Sequence, residues 1–403
     1  MKLFPRLAGG TEPMTPLGIL LLQGFRIFFT LAGIWSVTAM AAWLAFLAGW
    51  IPLHSPWSVI QLHGHEMLFG FTSAAAAGFL LSATPVWSKT PPLTGLPLNA
   101  LVIAWLLGRG AALLGCCLPP WVQAVADVGF FAGFLYFLTP TLWFTGNRVH
   151  RIFPVLVALM AVGDLLTHLE ALAWTRESAR TGVMLGVNAI VFFLAMTGGH
   201  IMPMFTRDAL KARGEDPSFA ISPPLEIAGA VTLTLVVLAD LFWPVENGAG
   251  WIFLAAGSVQ GVRLARWHGH KTLGTPLLWV LHLGYLWLVA GLLLRGVARL
   301  TGLLNDTTAV HALTVGAMGL FTLGIMARIA LAHTGRPLNN PSRVLTGAFL
   351  IMTGAALARV FWVSGAPETG IWLAGGLWIV AYLLFCRIIL PILSAPRPDG
   401  QAG

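Results

Sequence analysis

The chain has 403 residues, of which 57% are apolar and only 9% charged, and its mean hydropathy is +0.81. A soluble domain carries about 25% charged residues, so an ordinary water-soluble enzyme, a disordered chain and a disulfide-built secreted scaffold are all excluded. What remains is a polytopic membrane protein, whose net charge of +8 and pI near 10.1 read as a topology signal and not as a nucleic-acid footprint.

Residues 1–23 carry Lys2 and Arg6 but no short apolar core followed by a small-residue cleavage site. They are expected to form a short cytoplasmic segment and not a cleaved signal. Stretches of about 20 apolar residues then place spans near 27–49, 60–85, 98–118, 121–144, 152–174 and 182–205. A second six lie near 223–243, 250–267, 275–297, 306–332, 343–363 and 370–391. The expected architecture is an all-α bundle of about twelve transmembrane helices in one domain over 1–403, with a disordered tail at 394–403. With the N-terminus inside, 17 of the 23 Lys and Arg fall on the inner side and 6 outside. That asymmetry puts both termini in the cytoplasm. The lipid bilayer is the expected partner, and no nucleic acid is.

Cys116 and Cys117 are adjacent and Cys386 is distant, so no disulfide framework is expected, and no CxxCH offers covalent haem attachment. The small-residue run Ala74 to Gly78, with Gly316, Gly319 and Gly324, suits close helix contact. Pro203 is expected to end or kink the sixth span.

Ionisable residues inside apolar spans are the functional signal, because they are expensive there. Counted at about 1.5 Å per residue, His63 and His65 in QLHGHEMLFG, His168 in GDLLTHLE and His311 in NDTTAVHALTV lie about 5–9 Å below the outer boundary. Four imidazoles from three helices thus share one depth. His63 and His65, two apart, point to opposite sides of a regular helix, so they are expected to serve different sites. Glu66 follows on the face of His63, and Asp164 precedes His168 by one turn, the pairing in which a carboxylate orients a metal-binding imidazole. Imidazole suits Zn, Cu, Fe and Ni alike. His282 sits deeper in the ninth span, suited to a second centre or to an interhelical hydrogen bond. His200, Met202 and Met204 offer softer donors that suit Cu(I), though Met also fills gaps. His150, His268, His270 and His333, in or beside inner loops, read as solvated. Arg109, Asp127, Asp164, Glu170 and Arg359 fall in the outer halves of spans, where they can pair or carry protons.

These motifs resemble the NnrS family of bacterial inner-membrane proteins. The matching stretches are GFRIFFTLAGIW at 24–35, HGHEMLFGFTSAAAAGFLLSATPVW at 63–87 and WLLGRGAALL at 105–114. They continue with PMFTRDAL at 203–210, TPLLWVLHLGYLWL at 275–288 and HALTVGAMGLFTLGIMARIALAHTGRPL at 311–338. The resemblance implies a haem- and copper-containing protein linked to denitrification and nitrosative stress, acting on nitric oxide or a related nitrogen oxide. His63, His65, His282, His311 and His333 fall in the matching motifs. In that family Arg is common where this chain has His200, which argues against His200 as an essential ligand.

On this reading His63 and His311 are the expected axial ligands of a non-covalent b-type haem, with His282 a further cofactor candidate. His65 and His168 are the expected copper ligands, and Glu66, Asp164 and Arg109 the groups that support them or handle protons. No particular electron donor is indicated. A haem–copper oxidase-type reductase would need an adjacent His-His pair that is missing. A twelve-helix secondary transporter also fits the span count. Against it, the loop WSKTPPLTGLPL lacks the charged glycine motif expected there, and the histidines lie near the outer face and not at the midplane. A non-catalytic sensor or accessory protein is the third alternative.

Overall fold

The computed structural model describes residues 15–401, except 53–54, 116, 145–146, 217–218, 220, 245 and 340. Cys116 and most of the N-terminal segment therefore lie outside the described residues; Cys386, within them, is a free thiol. No strand occurs among the described residues. The long helices are α1 (Gly24–Leu47), α2 (Val59–Ser88), α3 (Gly95–Leu113), α4 (Pro120–Trp143), α5 (Arg148–Ala171) and α6 (Ser178–Ala212). They continue as α7 (Pro223–Phe242), α8 (Gly250–Arg266), α9 (Pro276–Thr301), α10 (Asp306–His333), α11 (Arg343–Val360) and α12 (Pro367–Leu393). All but α8 are long and apolar enough to cross a membrane. At 17 residues α8 would reach only about 25 Å at 1.5 Å per residue, and it lies between α7 and α9. The chain is a multi-pass membrane protein.

Three helices form the centre. α2, α6 and α10 pack on one another and are the most deeply buried of the spans. α5 lies along α6, α8 along α9 and α11 along α12, while α1 contacts both α2 and α12 and so closes the ring. The small residues picked out by sequence are where this packing is tightest. Gly78 faces the Phe29 ring, Gly316 faces Trp287 and Gly319 faces Trp378, each too close to admit a Cβ. Pro203 does not end its helix: α6 continues to Ala212, seven residues past the expected end of the sixth span at 205.

Two departures from regular α-helix interrupt the central helices. α2 widens to a π-helical turn over Glu66–Thr72, and α10 does the same over Ala312–Met318. Such turns are rare and are found mostly at functional sites. Both begin just after an intramembrane histidine.

The tail, expected to lack fixed structure, is held. Arg26 of α1, almost fully buried, donates from Nη1 to the carbonyls of Leu393 at 2.5 Å and Ala395 at 3.0 Å. Arg397 donates to the His333 carbonyl at 2.8 Å and forks onto Asp399 at 2.9 and 2.6 Å. Hydrogen bonding to Arg397 holds the Asp399 carboxyl down at about 2. A folded-state value below the ordinary one means that this contact is present at neutral pH and is lost only as pH falls towards that value. Limited proteolysis should therefore cut the tail equally slowly at about pH 7 and about pH 5, and faster at both in Arg397→Ala.

Candidate functional site

The four outer histidines separate into two sites on opposite sides of α2. A capping box starts this helix: Ser58 accepts from the Gln61 amide at 3.3 Å, and the Gln61 side chain accepts from the Ser58 amide at 2.9 Å. The reciprocal bonds fix where the first turn begins, and so where His63 and His65 point one turn later. Between them Gly64 leaves room for Val183 of α6, 3.1 Å from where a Cβ would stand.

His63 faces a cavity of about 470 Å³ whose far wall carries His311. This lies within the roughly 300–1,000 Å³ of small-molecule and cofactor pockets. The wall is apolar and thioether-rich, with Met40, Met67, Met184 and Met318 beside Trp378. Arg180 is its one basic lining residue apart from the histidines. α10 is started by Asn305, whose side chain accepts from the Thr307 amide at 2.9 Å. One turn on, His311 Nδ1 lies 2.7 Å from the Thr307 carbonyl. Only a protonated Nδ1 can bond a carbonyl, so neutral His311 keeps its lone pair on Nε2. The His63 ring stacks on Trp43 with centroids 4.6 Å apart, and its Nδ1 is buried without a hydrogen-bond partner.

His65, on the other side of α2, meets His168 and Asp164 of α5 and Asp127 of α4. One ligand atom from each of the four lies within 4.8 Å of the other three, and all four residues are buried. His65 Nε2 is 3.0 Å from Asp164 Oδ1 and 3.8 Å from Asp127 Oδ2. His168 Nε2 is 3.3 Å from Asp127 Oδ2 and 3.6 Å from Asp164 Oδ1. Neither ring nitrogen of His168 reaches hydrogen-bond geometry, nor do Asp127 Oδ2 and Asp164 Oδ2. His168 Nε2 and Asp127 Oδ2, 3.3 Å apart at the centre of the cluster, are thus buried without a hydrogen bond, a costly arrangement that a cation bound between them would relieve.

Supporting bonds surround the cluster. Glu66 Oε1 is 2.9 Å from His65 Nδ1 and accepts from Gln123 at 3.2 Å. Glu66 Oε2 accepts from Arg109 Nη1 at 2.5 Å, and Arg109 Nη2 bonds Asp127 Oδ1. The Arg109 guanidinium fits because Gly70, in the π-helical turn, has no side chain: a Cβ there would stand 2.5 Å from Nη1. Trp35 and Trp105 lie beside the cation at 5.7 and 5.8 Å. Trp57 covers the outer side, stacked on His65 at 4.5 Å and donating to the Thr167 carbonyl at 2.7 Å.

His63 and His311 thus line one cavity, and His65 and His168 share one cluster. The support differs in detail. Glu66 serves His65 and not His63, and Asp164 lies at ligand distance together with Asp127. His282 belongs to neither site. It lines a separate pocket of about 330 Å³ with His270, and its Nε2 is 3.1 Å from the Thr206 hydroxyl. His200, Met202 and Met204 do not converge: Met202 is buried, Met204 is 47% exposed, and His200 packs on Trp87 and His150. His150 is not solvated but buried, stacked on Trp87 at 4.4 Å. Glu170 caps α6 by accepting from the Ala179 amide at 2.7 Å.

Asp127 was legible only as an unassigned acid in the apolar run VADVGFF; of the cavity methionines only Met67, one turn after His63 on the same face, could be placed there from sequence, and Arg180 could not. A third buried network was also not foreseen. Asp240 of α7 accepts from Asn188 and from Arg295, both at 2.7 Å, and also bonds Arg299. Arg295 forks onwards to Asp306 at 3.0 and 3.1 Å. This network ties the start of α10, and with it Thr307 and His311, to α6, α7 and α9.

These features define a polytopic helical membrane protein with two histidine-built sites at one end of its central helices. The sequence profile described as NnrS protein matches residues 19–397, almost the whole chain. The chain belongs to the NnrS family. A search of curated proteins finds no match.

Proposed function

We propose that this protein binds a b-type haem in the cavity between His63 and His311, and takes up nitric oxide or a related nitrogen oxide there. Its setting would be denitrification or nitrosative-stress tolerance in the bacterial inner membrane. The observation that carries the reading is that one apolar cavity of cofactor size is faced by imidazoles from two central helices. The residues fit such a group. Thr307 holds His311 in the tautomer that leaves Nε2 as the donor, the usual way a backbone carbonyl orients a metal-binding imidazole. Arg180 offers a cation to haem carboxylates, and the methionines and Trp378 offer an apolar wall to the macrocycle. Bound haem would supply an iron that takes small diatomic ligands, tuned by its axial residues and by pocket polarity. A small uncharged gas partitions readily into walls of this kind. A metal ion beside it is supported by His65, His168, Asp127 and Asp164, and copper is what the family resemblance implies.

The test is the visible spectrum of purified protein, oxidised and reduced. A Soret band that shifts on reduction and is lost in both His63→Ala and His311→Ala is the expected result. Retention in both variants would move the haem elsewhere, first to His282. A colourless preparation from haem-supplied cells would end the assignment and bring forward transport, for which the twelve-helix layout is the supporting observation.

A further inference from the structure

The cavity between His63 and His311 has a smaller neighbour at the centre of the bundle. We infer that this second void is a dry docking site for an uncharged diatomic gas such as nitric oxide, entered from the larger cavity past Met318 and Thr72. The identity of the gas rests on the reading above; the void does not.

The void measures about 20 Å³ and lies between α2, α6 and α10. Every residue that lines it is buried, so it belongs to the interior of the bundle. Its size exceeds the roughly 10–15 Å³ that a cavity needs to hold one water, but its walls do not suit water. Ala75, Ala76, Ile190, Leu194, Phe321 and Ile325 bring no polar side-chain atom. Thr72 and Thr322 also line it, yet their hydroxyls are engaged. Thr72 donates to the Met67 carbonyl at 2.8 Å, and Thr322 to the Met318 carbonyl at 2.6 Å. Of the lining hydroxyls only that of Thr197 is buried without a partner, whereas an internal water needs about two to four polar partners. Apolar voids of this kind stay dry and take up uncharged guests such as xenon.

Position connects the void to the larger cavity. Leu68, Val187 and Met318 line the cavity. Thr72, Ile190 and Thr322, three or four residues further along the same helices, line the void. Residues at that spacing share a helix face, so the void continues the cavity one turn deeper on all three helices. Between the two, the Thr72 hydroxyl reaches Met318 Sδ at 3.0 Å. Thr72 is the last residue of the π-helical turn in α2, and Met318 is the last of the one in α10. Both departures from regular helix thus end on the pair that meets here, which gives two rare turns a common use. Methionine is unbranched with three rotatable bonds, so its thioether can swing aside for a diatomic molecule without moving a helix.

Xenon is the probe, and it needs no haem. Crystals of the full-length protein are equilibrated with xenon under pressure, and anomalous scattering locates the guest. Xenon is expected beside Ala76 and Ile190 in the wild type, and is expected to be lost in Ala76→Val, whose added methyls occupy the void. The second readout is flash photolysis of the nitrosyl adduct in detergent, which follows recapture of the released gas. A slow recapture phase in the wild type should be lost under xenon and lost in Ala76→Val. The Soret band should stay unchanged, because Ala76 does not line the larger cavity. Should the variant fail to fold, the wild type with and without xenon decides both readouts. A void left empty under xenon, or filled by an ordered water, would overturn the inference. So would xenon in the void with recapture unaffected by it, since the void would then lie off the path of the gas. Xenon in the void of a colourless protein would end the haem reading and leave the gas site standing.

Discussion

Arg109→Ala is expected to destabilise the folded protein by about 3–5 kcal/mol, the usual result of removing one partner from a buried ion pair. The loss is large because Arg109 serves two acids at once. Glu66 and Asp127 both bond its guanidinium, and both are buried. Without it they would face each other and Asp164 with the guanidinium charge and both of its hydrogen bonds gone. Two tryptophans beside the guanidinium would lose their contact as well. Arg109→Lys should recover only part of the loss, because a point charge on a flexible stem cannot fork to two carboxylates. The check is a thermal unfolding series in detergent, comparing wild type, Lys and Ala. An Ala variant as stable as wild type would mean that the acids are protonated or paired elsewhere, contrary to the geometry described.

Gly182→Val is expected to be comparably severe for a different reason. α5 and α6 cross so closely that a Cβ at Gly182 would stand 2.3 Å from the Gly163 carbonyl oxygen, and one at Gly163 would stand 2.7 Å from the Gly182 carbonyl. These obstacles are backbone, so no rotamer change relieves them and the helices must part. Asp164 and His168 ride on α5, next to the crossing, so the cluster is displaced with it. Small residues at such crossings are how membrane helices reach close van der Waals contact. Overpacking of a tight site costs about 1–3 kcal/mol or more. Gly129→Val is the control, since nothing lies within 4 Å of its missing Cβ. A thermal stability measurement on both, with metal content read for each, should show Gly129→Val close to wild type and Gly182→Val depleted in both respects. Equal behaviour of the two variants would count against the crossing as the cause.

Much of the framework could be read from the chain because the bilayer simplifies the problem. A span must be apolar over a fixed length, so eleven of the twelve expected helices stand where hydropathy places them, and α8 falls just short. The sorting of the histidines was legible for an equally simple reason: residues two apart on a helix face opposite ways. What could not be read was helix phase. Sequence shows that Asp127 lies in an apolar span, but not that its side of α4 faces His168. Nor does it show that α2 and α10 turn π-helical, because widening the turn depends on what the neighbouring helices offer the freed carbonyls. In α2 the Gly70 carbonyl accepts from Trp105 of α3, while the Met67 carbonyl is met from within the helix by the Thr72 hydroxyl. His150 was misread because a cationic loop suggests water, whereas the Trp87 ring that covers it comes from another helix.

Arg26 has a consequence for how the chain is made. It enters the bilayer with α1, yet two of its acceptors, the carbonyls of Leu393 and Ala395, are synthesised 367 and 369 residues later. An arginine within a membrane segment carries an insertion penalty of about 2.5–3.5 kcal/mol at the helix centre and less towards its ends. The first helix must bear that penalty, holding its guanidinium at the inner surface, until the twelfth arrives. The contact between α1 and α12 therefore forms only once α12 has been made. A nascent chain stopped short of residue 393 lacks both of these carbonyls, so this seam between α1 and α12 cannot form until the whole of α12 is in place.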